Sequence, residues 1–158
     1  MSKPIINLYW YKRDLRLIDN VPLQMSCDDE HPTLLFYLFE PILINDSHHS
    51  ERHWKFITES IVDINKGLKK YKTKVHCYEL DVIGFLKRVS KHYKINKIFS
   101  HTETGIGITY ERDLEVSYFS KKNNINWYEE IRNGVFRGRS NRNNGIKDWK
   151  NYMQQNII

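Results

Sequence analysis

Apolar residues fall along this chain in short dense blocks, and between the blocks they recur every three or four positions. IINLYWY (5–11) is nearly unbroken, the pattern of a strand covered on both faces. TLLFYLF (33–39) is denser still and stops at Glu40-Pro41. KVHCYEL (74–80), INKIFSH (95–101) and NINWYEE (124–130) supply three further strands. Trp54, Ile57, Ile61, Ile64 and Leu68 then predict a helix from Glu51, with Ser50 as N-cap and Lys55, Glu59, Lys66 and Lys69 facing outward. A second helix over 81–93 carries Val82, Phe85, Leu86, Val89 and Tyr93 on one face, and a third over 109–122 carries Tyr110, Leu114 and Phe119 less regularly. PLQMSCDD (22–29) fits only a short helix. Strands separated by helices in this rhythm imply βαβ units. The expected fold is α/β: a Rossmann-like, doubly wound, five-stranded parallel sheet in three α/β/α layers.

Sheets of this kind bind ligands beyond the carboxyl ends of their strands, where the strand order reverses. Those ends are the Arg13–Asp19 segment and residues 39–44, 101–107 and 129–133. Polar chemistry is concentrated there, most densely in Lys12, Arg13, Asp14, Arg16 and Asp19. Arginine offers a rigid donor fork for phosphate or carboxylate. Charges leaving a core strand are more simply explained by mutual pairing, because partly buried charges persist when paired. Pairing is therefore the expectation for Arg13, Asp14 and Arg16.

Other motifs exclude more than they assign. TETGIGIT (102–109) has Gly105 and Gly107 but no third glycine at the dinucleotide spacing, so it is read as a turn requiring positive φ. There is no Gly-x4-Gly-Lys-Ser/Thr phosphate loop. His48, His49 and His53 lie close together without a ligand-spaced partner, and are read as solvated residues ahead of a helix rather than a metal site. No nucleophile stands beside a base, so no catalytic residue is assigned. The phosphoacceptor pattern of a receiver domain is missing as well.

Composition refines the picture. The 158 residues suit one domain, and 40% hydrophobic with 13% aromatic residues suffices for a core. Net charge is +6, and residues 121–150 account for a net +5 of it, with eight Lys/Arg against three acids. Arg137, Arg139 and Arg142 form the densest part, a candidate docking patch or a weak attractor of DNA phosphates. Two cysteines, the absence of a signal-peptide pattern and the lack of any run of about 20 apolar residues predict a cytoplasmic protein off the membrane. Cys77, inside a strand run, is expected to act as a small core hydrophobe.

Ordered motifs across the chain point further. YWYKRDLRLIDN (9–20), with Trp10, Arg13, Asp14, Leu15, Arg16, Asp19 and Asn20 in register, resembles the first strand and loop of the cryptochrome/DNA photolyase family. YLFEP (37–41), RHWKFITESIVDIN (52–65), the 100–116 segment and WYEEIRNGVFRGRSNRNNGIKDWKNYM (127–153) resemble later parts of the same domain. The resemblance implies the family's N-terminal α/β domain over 1–135, followed at 136–158 by a basic loop and the start of an interdomain linker. It also implies a light-harvesting role in a photolyase or cryptochrome whose parent activity is blue-light pyrimidine-dimer repair or photoreception. The antenna pigment would be a folate, a deazaflavin or a flavin, near Phe39, Glu40, Ile44, His101, Glu103 and Thr104. FAD would belong to a separate helical domain, the expected partner, so DNA would be met only through the parent protein. Arg13, Asp14, Arg16, Asp19 and Asn20 would shape the loop facing that domain or the pocket rim. An uncovered apolar patch would promote self-association. The alternative is a stand-alone nucleotide-binding or protein-interaction module of the same fold.

Overall fold

The structure, a computed structural model, describes residues 2–135 and 143–157. Strands β1 (Ile5–Tyr11), β2 (Thr33–Leu38), β3 (His76–Tyr78), β4 (Lys94–His101) and β5 (Asn126–Glu130) form one sheet in the order β3-β2-β1-β4-β5. Every pairing is parallel. The chain builds outward from β1 through β2 to β3, then crosses back to place β4 on the other side of β1. The strand order reverses between β1 and β4, and a crevice opens at their carboxyl ends.

Side chains alternate across β1 and divide the core into two layers. Leu8 and Trp10 join Phe36, Ile98 and Val116 beneath α4 (Val82–His92) and α5 (Gly107–Lys122). Tyr9 and Tyr11 join Leu35, Tyr37 and Phe99 beneath α1 (Val21–Cys27) and α3 (Glu51–Leu68). α3 begins where Ser50 predicts, and the Ser50 N–H donates to His53 Nδ1 at 3.1 Å. Its Ile61, Ile64 and Leu68 are buried as the periodicity requires. Asn20 caps α1 by accepting from the Leu23 N–H, and its carboxamide oxygen also accepts from Tyr9 Oη at 2.8 Å. Asp81 caps α4 through the Gly84 N–H.

Several expectations need correction. β3 is a three-residue edge strand with Cys77 exposed, so this thiol is not a core hydrophobe. On α5, Tyr110 and Leu114 face solvent, whereas Thr109, Arg112, Asp113, Val116 and Ser120 are buried. Its inward stripe is largely polar, and hydrophobic periodicity reads only apolar stripes. Tyr93 is also 41% exposed, at the C-cap of α4. Gly105 and Gly107 do not have positive φ. At Gly105 the requirement is space, because a Cβ would collide with the Arg13 guanidinium and Glu103. Two helices went unforeseen: α2 (Pro41–Ile44), begun by the fixed φ of Pro41, and α6 (Gly145–Met153), part of the segment expected to be loop and linker. Among the described residues no helix is long and apolar enough to cross a membrane.

Candidate functional site

The carboxyl edge carries a cleft of about 550 Å³ over the ends of β1, β2 and β4. Its floor is an ion network. Two residues past β2, the Glu40 backbone starts α2 while its side chain turns inward instead of capping that helix. Arg112 Nη1 donates to Glu40 Oε1 at 2.7 Å, Nη2 reaches Glu103 Oε2 at 3.2 Å, and Nη2 also donates to Asp113 Oδ1 at 2.9 Å. Behind it Lys12 Nζ, with a buried side chain, pairs with Asp113 at 2.9 Å and Glu129 at 3.0 Å. The Lys12 ammonium lies over both the Trp10 and Trp127 rings, and the Arg112 guanidinium also lies over Trp10. Indole faces thus replace part of the water these cations have lost.

Arg13 crosses Gly105 to pair with Glu103 at 2.8 Å. Burial alone would push the Glu103 carboxyl up, but Arg13, Arg112 and Lys12 outweigh it and hold Glu103 below the usual carboxylate range. Burial wins at Glu40, which is raised despite Arg112 beside it. Two neighbouring carboxylates are thus driven in opposite directions, as expected when one has two close cations and the other has one.

Aromatic rings form the wall. His49 stacks on Trp54 with centroids 5.1 Å apart, and Trp54 lies 6.1 Å from Phe39, which meets Tyr37 edge-on. His49, His53 and Trp54 line the cleft, so two of the histidines read as merely solvated belong to its wall; His48 is exposed. Tyr11 and His49 also line it; the Tyr11 phenol oxygen is buried without a hydrogen-bond partner, whereas His49 Nδ1, too far for a hydrogen bond, lies 3.7 Å from Asp46 Oδ1. Burial pushes the Tyr11 phenol well above its ordinary value.

The remaining sequence-predicted residues distribute unevenly. Glu40 and Glu103 line the cleft, and Phe39 backs its aromatic wall. Ile44 is 39% exposed and outside the lining. Thr104 accepts from Asn133 Nδ2 at 3.4 Å, at the edge rather than in the cleft. His101 lines a second hollow, of about 820 Å³, under α6 together with Arg16 and Asp19. Within it Arg16 pairs with Asp14 at 3.1 Å and Asp19 at 3.2 Å, and His101 Nε2 lies 3.6 Å from Asp14. Arg16 and Asp14 therefore pair with each other as expected, though Arg16 Nε makes no aligned hydrogen bond, whereas Arg13 finds its carboxylate outside the loop, on Glu103. Arg137, Arg139 and Arg142 lie outside the described residues.

Sequence reasoning counted Lys12 among the charges at this edge but missed Arg112 and Asp113 beside it on the floor, Arg52 and Arg132 on the rim, and the place of Tyr11, His49 and Trp54 in the wall. One signal was present: Thr109, Arg112, Asp113, Val116 and Ser120 share a helical face at steps of three and four. No group of three or more His, Cys, Asp or Glu residues among those described could hold a metal ion.

Comparison with known proteins agrees with this architecture. The deoxyribodipyrimidine photo-lyase of Buchnera aphidicola subsp. Acyrthosiphon pisum is 26% identical over 121 residues, spanning 73% of this chain and 25% of that protein. Cryptochrome-2 of Gallus gallus is 22% identical over 117 residues, spanning 73% of this chain and 20% of its own. This chain therefore spans about a quarter or less of these two relatives' length. Among solved structures, an archaeal photolyase from Sulfolobus tokodaii with two FAD molecules superposes with a TM-score of 0.69 at 19% identity, over 97% of this chain and 36% of that one. A Synechocystis cryptochrome gives 0.75 at 17% identity, over 83% and 28%. The family model described as DNA photolyase matches residues 7–147. Spanning nearly the whole sheet and its carboxyl-edge cleft, that match shows that the chain belongs to the DNA photolyase family, as its N-terminal α/β domain.

Proposed function

We propose that this chain is the light-harvesting half of a photolyase or cryptochrome and holds an antenna pigment, a folate, a deazaflavin or a flavin, in the cleft over β1, β2 and β4. The observation that carries the reading is the pairing, in one cleft, of an aromatic wall, Trp54 with His49, and a buried Tyr11 phenol that has no hydrogen-bond partner. A planar heteroaromatic ring offers both a stacking face and hydrogen-bonding edge atoms, which meets both needs. The volume of about 550 Å³ falls in the range of small-molecule sites. Glu40, Glu103, Thr109 and Arg112 form the floor against which such a ring would be oriented. When bound, the pigment would absorb near-ultraviolet or blue light and pass its excitation on.

The activity of a whole photolyase or cryptochrome, pyrimidine-dimer repair or photoreception, needs a redox flavin that no side chain here replaces. FAD would lie in a helical domain that partners this one, and DNA would be met through that assembly. In this reading 1–135 is the pigment-holding unit and 136–158 leads toward the partner, with Arg13 and its neighbours at the seam. On its own the chain repairs nothing. The test is absorption and fluorescence of the purified chain after incubation with each pigment class and removal of the excess. Retention of one pigment in stoichiometric amount, lost on Trp54→Ala, is expected. A colourless protein that takes up ATP or AMP would instead identify a nucleotide-binding module.

A further inference from the structure

Charge around the cleft does not balance, and the imbalance specifies its ligand further, on the reading that the cleft holds a pigment. Five permanent cations line it: Lys12, Arg13, Arg52, Arg112 and Arg132. Three are neutralised within the fold. Lys12 has Asp113 and Glu129, Arg13 has Glu103, and Arg112 has Glu40, Glu103 and Asp113. Arg52, exposed in the first turn of α3, and Arg132, half-buried just past β5, have no ion pair or hydrogen bond among the described residues. The two lining carboxylates, Glu40 and Glu103, are already committed to Arg112 and Arg13. Two guanidinium groups without an ion pair among the described residues therefore stand over a floor whose anions are spoken for; Arg132 feels Asp14 only at longer range, and that carboxylate is already paired with Arg16.

We propose that the cleft selects a pigment with an anionic arm, phosphate or carboxylate, which leaves the aromatic wall and ends on Arg52 or Arg132. A guanidinium binds either oxyanion through a planar pair of N–H donors. The uncharged ring would stack on the wall whether or not the arm is present. The arm therefore sets which member of a pigment class is taken, by an interaction that salt weakens.

The experiment compares riboflavin with flavin mononucleotide, which differ only in the phosphate, by quenching of flavin fluorescence on titration with the 158-residue chain. Folate and folate extended by further glutamates form a parallel pair and separate a phosphate preference from a carboxylate one. The charged member of at least one pair should bind about tenfold or more tightly than its less charged counterpart. That preference should shrink on raising the salt and nearly vanish in an Arg52→Gln/Arg132→Gln variant whose riboflavin affinity and circular dichroism are unchanged. Equal binding within both pairs would overturn the anionic arm and leave the pigment reading standing. A preference that survives in the double variant would overturn the assignment to these two arginines. Should the double variant fail to fold, the salt dependence of the unaltered chain decides, and a salt-independent preference counts against the proposal. Binding of neither ring system would sink both this inference and the pigment reading beneath it.

Discussion

Arg112 shows how one side chain can organise a site that hydrophobic patterning passes over. Its guanidinium is 95% buried as a side chain and touches three carboxylates from three segments of the chain. Burial would lower its pKa, but Glu40 and Asp113 more than offset this and raise it. Arg112→Met should destabilise the chain by about 3–5 kcal/mol, since buried carboxylates left without their cation cost far more than the pair contributes. Thermal or denaturant unfolding measures this, and Glu40→Gln in the same background should recover part of the loss. His101 is the second telling residue. Burial, with Arg16, Arg132 and Lys12 nearby, lowers its pKa to about 4, while Asp19 opposes the shift. The imidazole is therefore neutral in the folded chain at pH 7 and binds its proton more readily when unfolded. Stability then falls as pH drops from about 6.5 toward about 4, by about 3 kcal/mol in all. Urea unfolding at several pH values should show this slope, and His101→Asn should flatten it over that interval.

At the level of elements, agreement between pattern and structure depends on what each face buries. β1, β2, α3 and α4 present apolar stripes, and their limits lie within two residues of those read from the sequence. α5 does not follow the pattern: its buried stripe is Thr109, Arg112, Asp113, Val116 and Ser120, because its first turns cover the polar crevice instead of the apolar core. Leu114 and Tyr118, with Phe119 only partly buried, are left on an outer groove against Ile83 of α4. That groove, bordered by Lys87, Lys91 and Lys122, is the patch on which the expected self-association would act. Light scattering should show an apparent mass that grows with concentration, and Tyr118→Glu should reduce the growth. A strict monomer at high concentration would contradict it. β3 also departs from its apolar run, because a three-residue edge strand has only one neighbour to hold it.

For the whole molecule, the arrangement of strands matters more than any single one. Placing β4 beside β1 brings Lys12, Glu103 and Arg112 within ion-pairing reach, although Lys12 and Asp113 are 101 residues apart in sequence. The same reversal opens the cleft to which the aromatic wall of α3 contributes. Pigment retention and the charge preference argued above both depend on that convergence. They would fail together if the strand order were different.

The sequence by itself determined the fold class, the five strands and the main helices, because burying one face of an element writes a period of two or about 3.6 into its residues. Motif order likewise made the family legible from Trp10 to the Trp149 region. Only the tertiary structure decided which charges meet. Ion pairs between distant segments leave no periodic trace, so Arg112 on a helix, Lys12 beyond a strand and Arg132 past another become one site only when the sheet is assembled. It also separated the predicted residues, sending Arg13 of the loop to the cleft, and Arg16 and Asp19 of the same loop, with His101 expected near the pigment, to the neighbouring hollow. A side chain's direction at a strand exit is set by the neighbour that satisfies its charge, and that neighbour comes from elsewhere in the chain.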